Sequence, residues 1–189
     1  MELKHKLLEH PFYQAWTMGE VTPEQLSAYH KSYTEFIEEV PKYWTKIAEA
    51  FGQTEAAQHI IDEETAHIDL WTKWQGKLPE VNSFPRMENV LSSFANMTPS
   101  ELLGAVHAFE IQQPGVAQTK KDGLLKWYGF NEGETIYFDE HIAEEDHIQF
   151  GTMLANNFAN KEEFARGFDK GAELVYNGLD LFVAENYKN

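Results

Sequence analysis

A chain of 189 residues with 42% hydrophobic and 14% aromatic residues has the material for one substantial core, which is not the composition of a disordered segment. Its 31 acidic against 15 basic residues give a formal charge of -16, which repels phosphate backbones and makes nucleic acid an unexpected partner. The absence of cysteine removes disulfides, thiolate metal sites and thiol nucleophiles, so any chemistry must come from His, Glu, Asp, Tyr and Lys.

In chain order, the opening "MELKHKLLEH" carries charges where a signal peptide would have its apolar region, so a cytoplasmic location is expected. No later run reaches the roughly 18 apolar residues of a membrane helix, so no membrane association is expected. A short helix is expected in "HPFYQAW". "VTPEQ" then supplies a Thr22 cap, Pro23 at the first helical position and Gln25 three residues after the cap. The helix it opens should run to about Ala50 with a bend near Pro41. A second should run from about Thr54 to Gln75, ended by Gly76. "KLPEVNSFPRM" is too short and too apolar for a domain linker, so residues 1–189 are read as a single domain.

"MTPSE" repeats the capping pattern with Thr98, Pro99 and Glu101. Further helices are expected over Pro99–Gln113, Gly115–Tyr128, Glu132–Phe158 and Lys161–Asn186, divided by Pro114, Gly129 and Asn160. Alternation long enough for a strand is missing, so the fold class is all-α, with about seven helices and no internal repeat.

Two segments carry the candidate chemistry. In "DEETAHIDLW", Glu63 and Glu64 precede His67 by four and three positions, and either can share its helix face. In "DEHIAEEDHIQF", His141 lies one turn before Glu144 and Glu145, and Glu144 lies three before His147. Glu110, in "HAFEIQQP", is flanked by apolar neighbours and should face inward. Helices that project Glu and ExxH pairs to one interior point are a known way to bind two iron or manganese ions. The competing reading is a solvated acidic face, because buried carboxylates without a cation cost several kcal/mol each.

Together "HPFYQAWTMGEVTPEQLSAYHKSYTEFIEEVPKYW", "DEETAHIDLW", "FEIQQPGVAQTKKDGLLKWYGF" and "YFDEHIAEEDH" resemble the chlamydial death-domain-associating protein family, within the TenA and PqqC group of haem-oxygenase-like folds. The resemblance runs from about His10 to His147. It implies a compact seven-helix bundle and two bound ions, iron, manganese or one of each. It also implies O2 as co-substrate and synthesis of para-aminobenzoate for folate from one of the protein's own tyrosines. Carried over by position, the metal ligands are Glu63, His67, Glu110, His141, Glu144 or Glu145, and His147. Tyr13 falls at the sacrificed tyrosine, Lys120 at a lysine implicated in the reaction, and Tyr29 and Tyr33 at tyrosines near the site. Phe109 departs from the family's tyrosine. Two spacings are also shortened: the family places its first Glu and His seven apart, and its later helix spaces His, acid and His by four and three.

The partner is then a small-molecule substrate or the protein's own tyrosine, and a homodimer is compatible with the reading. The nearest rival is a related dimetal oxidase acting on a small amino acid or fatty acid. A non-catalytic helical interaction protein with a degraded metal site is a second class. His10, His30, His59 and His107 are read as capping, surface or core residues and the five tryptophans as packing. Lys120 and Lys121 admit a bland reading as a solvated pair.

Overall fold

The computed structural model describes residues 1–143 and 145–183. Among these residues the chain forms ten α-helices, four short 3₁₀ segments and no strand. The first three helices are α1 (Pro11–Met18), α2 (Pro23–Ile37) and α3 (Val40–Phe51). The cap of α1 is His10, whose Nδ1 accepts from the Phe12 N–H, and Pro11 occupies the first turn. Thr22 and Gln25 close the expected capping box on α2. The bend expected at Pro41 is a full break. Pro41 sits in the first turn of α3, where its missing N–H costs nothing, and Glu38 and Glu39 turn the chain between the two helices.

Helix α4 (Thr54–Thr72) ends earlier than Gly76, and residues Lys73–Lys77 tighten into a 3₁₀ segment. The connection beyond it contains a helix the sequence reading missed, α5 (Glu88–Ala95), which buries Val90 and Phe94. Helices α6 (Pro99–Glu110) and α7 (Gln113–Trp127) follow, the first opened by the expected Thr98–Glu101 box. The single helix expected over Glu132–Phe158 is instead α8 (Ile136–Ala143) and α9 (Asp146–Asn157). Helix α10 (Lys161–Gly178) ends short of Asn186, which lies outside the described residues.

The bundle closes on aromatic rings. Trp16, Trp44, Trp71, Trp74, Tyr13, Tyr29 and Tyr33 are all fully buried, whereas Trp127 is exposed on the surface. Helices α6 and α10 approach until backbones touch: a Cβ at Gly104 or Gly167 would overlap backbone atoms of the facing helix. Glycine serves the same end where α1 meets α7, because a Cβ at Gly123 would enter the ring of Trp16. That approach lets the Trp16 Nε1–H donate to the Lys120 carbonyl at 3.2 Å, which fixes α1 against the middle of α7. Two interior regions result. One holds ionisable groups between α4, α6, α8 and α9, and the other holds rings from α1, α2 and α4 around Lys120 of α7.

Candidate metal centre

Helix α4 buries Ala57, Ile60, Glu64, His67 and Trp71, a stripe at alternating three- and four-residue spacing that defines its inner face. Glu64 and His67 therefore project where the aliphatic residues do, and Glu63 falls to the side. The Glu63 side chain is 53% exposed, against 5% for Glu64. Helix α6 delivers Glu110 from its last turn, 2% exposed. A continuous helix would turn His147 away from His141, and the break between Ala143 and Asp146 resets the phase so that both are buried.

These groups assemble into two triads. Glu64, His67 and His141 offer ligand atoms within 4.8 Å of one another, and so do Glu64, Glu110 and His147. Glu64 belongs to both, one oxygen 3.8 Å from His67 Nδ1 and the other 3.1 Å from His147 Nδ1. Burial alone would raise the Glu64 carboxyl, but the adjoining His147 and His67 imidazoles, with the field of His141, hold it below the usual carboxylate range. His141 moves the other way: burial outweighs the attraction of Glu64 and lowers it to about 4. Its Nδ1–H donates to the Tyr137 carbonyl at 2.8 Å, which leaves Nε2 as the free lone pair of a neutral ring.

The donor set fits a pair of cations. Two nitrogen-and-carboxylate triads sharing the Glu64 carboxylate would suit iron or manganese. Glu64 and Glu110 are buried carboxylates in one triad, an arrangement of like charges that a bound cation compensates. Glu110 also accepts from the Trp44 indole N–H at 3.3 Å, so the tryptophan read as packing orients a candidate ligand.

Of the residues expected to ligate, His67, Glu110, His141 and His147 meet in these triads. Glu63 and Glu145 do not. Glu145 is exposed and lines, with Glu63, His67, Glu140 and Asp146, a surface cavity of about 360 Å³. Glu144 lies outside the described residues. Glu64, named beside Glu63 but left out of the carried-over set, takes the central place. Its signal was the phase of the stripe at Ile60, His67 and Trp71.

The second region surrounds Lys120. Its Nζ lies 4.4 Å from the Tyr33 ring centroid, 5.4 Å from Tyr29, 5.5 Å from Trp71 and 5.7 Å from Tyr13. The residue is 1% exposed, so the solvated reading of this lysine is overturned. Lys121 instead pairs with Glu132 and Asp139 at the surface. Burial lowers Lys120 to about 7, which gives a sizeable neutral fraction near physiological pH. The Tyr13 and Tyr29 hydroxyls share a 3.0 Å hydrogen bond, and burial raises both phenols.

A ring series joins the two regions. His141 stacks near Tyr137 at 4.1 Å between centroids, Tyr137 meets Trp71 at 4.9 Å, and Trp71 meets Tyr33 at 5.3 Å. Tyr137, which the sequence reading did not single out, thus holds His141 by its carbonyl and the ring series by its side chain.

A family model described as "Iron-containing redox enzyme" matches residues 12–176. The chain is 31% identical over 186 residues to the 4-aminobenzoate synthase of Nitrosomonas europaea, covering 83% of this chain and 76% of that protein. It is 36% identical over 157 residues to the 4-aminobenzoate synthase of Chlamydia muridarum, covering 73% and 66%. The structure of a TenA homologue from Pseudomonas syringae superposes with a TM-score of 0.72 at 15% identity, over 94% of this chain and 86% of that one. That likeness establishes the haem-oxygenase-like fold.

Proposed function

Because this chain belongs to the iron-containing redox enzyme family, we propose that it is an O2-dependent dimetal oxidase that makes 4-aminobenzoate from its own Tyr13. The observation that carries the reading is a sealed juxtaposition: the Tyr13 ring and the Lys120 amine lie together, each 1% exposed. No membrane-crossing helix is present among the described residues. Glu64, His67 and His141 would hold one ion, and Glu64, Glu110 and His147 the other. When bound, iron or manganese supplies the redox equivalents for reducing O2.

The chain's own groups account for what the product requires. 4-Aminobenzoate is a benzene ring with a carboxylate para to an amine. Tyrosine already carries Cβ para to its oxygen, so the Cα–Cβ bond must break and Cβ be oxidised to the carboxylate with O2 as oxidant, the phenolic oxygen must leave as water, and the nitrogen that replaces it must be cut from the carbon that carried it. Lys120 is a buried nitrogen beside the ring, and its depressed pKa keeps part of it unprotonated and nucleophilic near pH 7. Tyr29 fixes the Tyr13 hydroxyl through the 3.0 Å hydrogen bond. The surrounding rings exclude water, which favours the neutral amine and protects intermediates from hydrolysis.

A self-consumed side chain limits turnover to about one per chain. Intact-mass and peptide-mass analysis after exposure of the iron-loaded protein to O2 should show loss of mass at Tyr13 and, as the nitrogen source, at Lys120. Tyr13→Phe should load metal and reduce O2 while releasing no 4-aminobenzoate. Equal product from Tyr13→Phe, or many turnovers on an added small molecule, would replace this reading with a conventional small-molecule oxidase.

A further inference from the structure

Glu63 stands apart from both triads, which close without it. Its carboxylate nevertheless reaches one of their members. Glu63 Oε2 lies 3.4 Å from Nε2 of His147, while Nδ1 of the same ring lies 3.1 Å from Glu64 Oε1 and 4.0 Å from Glu110 Oε1. The His147 imidazole, itself 1% exposed, is therefore held between carboxylates at both nitrogens.

Carboxylate oxygens face both nitrogens of this ring, and an ion held with Glu64 and Glu110 would take the Nδ1 side, leaving the ring hydrogen on Nε2, toward Glu63. We infer that Glu63 is a positioning residue and not a ligand: it holds the Nε2–H of His147 so that the Nδ1 lone pair faces the ion site formed with Glu64 and Glu110. The inference rests on the dimetal reading above and assigns this chain's own residue toward it. The other triad shows the same logic with the nitrogens exchanged, since His141 donates from Nδ1 to the Tyr137 carbonyl and presents Nε2. A partner on the far nitrogen fixes tautomer and ring orientation and raises the basicity of the ligating one.

Position along the chain explains why the two outer partners differ. His141 lies in the last turn of α8, where the Tyr137 carbonyl one turn back is available. His147 lies in the first turn of α9, with no preceding turn of that helix to offer a carbonyl. Its outer partner comes from α4, where consecutive Glu63 and Glu64 point about 100° apart around the axis. One turn of α4 thereby supplies the shared inner carboxylate and the outer acceptor on opposite sides of one imidazole.

The test is titration of Co2+ into the metal-free protein, followed by calorimetry and by visible absorption. The parent, Glu63→Ala, Glu63→Gln and Glu64→Ala are compared, with the melting temperature of each metal-free variant as a fold control. Glu63→Ala should keep two equivalents, weaken one of the two ions 10–100-fold, and shift its absorption bands. Glu63→Gln, whose amide oxygen still accepts from Nε2–H, should restore most of the affinity and the parent spectrum. Glu64→Ala should abolish two-ion binding. If both Glu63 variants bind only one equivalent, Glu63 is a ligand; if both match the parent, it has no role toward the ion, and either result overturns the inference. A parent that takes up no Co2+ would instead remove the dimetal reading on which it rests.

Discussion

The two interior regions, which meet at α4, solve opposite electrostatic problems. Between α4, α6, α8 and α9 the chain concentrates acceptors and imidazoles, a set that is costly to bury until cations join it. Around Lys120 it does the reverse, sealing one basic group among the rings of Tyr13, Tyr29, Tyr33 and Trp71. One region is completed by charge from outside, and the other is arranged to remove charge from a group already inside. The contrast teaches that burial alone predicts neither role. Glu64 and Lys120 are both buried, yet the adjoining imidazoles hold the first below the usual carboxylate range while burial pushes the second toward neutrality.

The sharpest way to break this contrast is to delete the shared carboxylate. Glu64→Ala should lose both ions, with bound metal falling by at least an order of magnitude, because each triad keeps only two ligands. Retention of both ions, measured by elemental analysis, would remove Glu64 from the centre of the account. The matching deletion in the other region is Lys120→Met, which should stabilise the fold by several kcal/mol near pH 6, where the parent must bury a charged amine. The gain should shrink as pH rises. The Lys120 pKa is lowered on folding, so between about 7 and the ordinary lysine value the unfolded chain binds more protons, and the parent gains stability with pH there. Denaturant titrations at pH 6 and pH 10 measure this, and a constant difference between them would contradict it.

Smaller effects sharpen the boundary between the regions. Gly123→Ala should destabilise by about 1–3 kcal/mol, because the new methyl enters the fully buried Trp16 ring and pushes α1 from α7. Metal content should be unchanged, which a melting curve beside elemental analysis will show. Glu145→Ala, at the rim of the surface cavity, should alter stability by no more than about 0.5 kcal/mol and leave two ions bound.

Much of this arrangement was legible in the sequence where a local rule decides the outcome. Thr22 and Thr98 announced their helices because a capping box is written within four residues. The burial of Lys120 was also legible, against the solvated-pair reading: it occupies the same face as Val116, Ala117, Gly123 and Leu124 on α7. The inward placement of Glu64 rather than Glu63 could be read the same way from the stripe through Ile60 and Trp71, whereas the resemblance implied Glu63 as the ligand. The burial of His147 was not legible, because it depends on where α8 stops and α9 starts, and helix ends are set by packing as much as by sequence. Neither was α5, whose eight residues lack a side-chain cap and are held by what Val90 and Phe94 pack against. Trp44 and Tyr137 act through a hydrogen bond to a residue distant in sequence and through a backbone carbonyl, and neither leaves a spacing signature.

The most direct test of the central claim, two ions joined through Glu64, is the stoichiometry of the parent protein loaded anaerobically with ferrous ion and freed of excess metal. The account predicts about two equivalents per chain and, because the ions bind the folded state, a melting temperature that rises with metal concentration. Under one tenth of an equivalent with an unchanged melting temperature would contradict it.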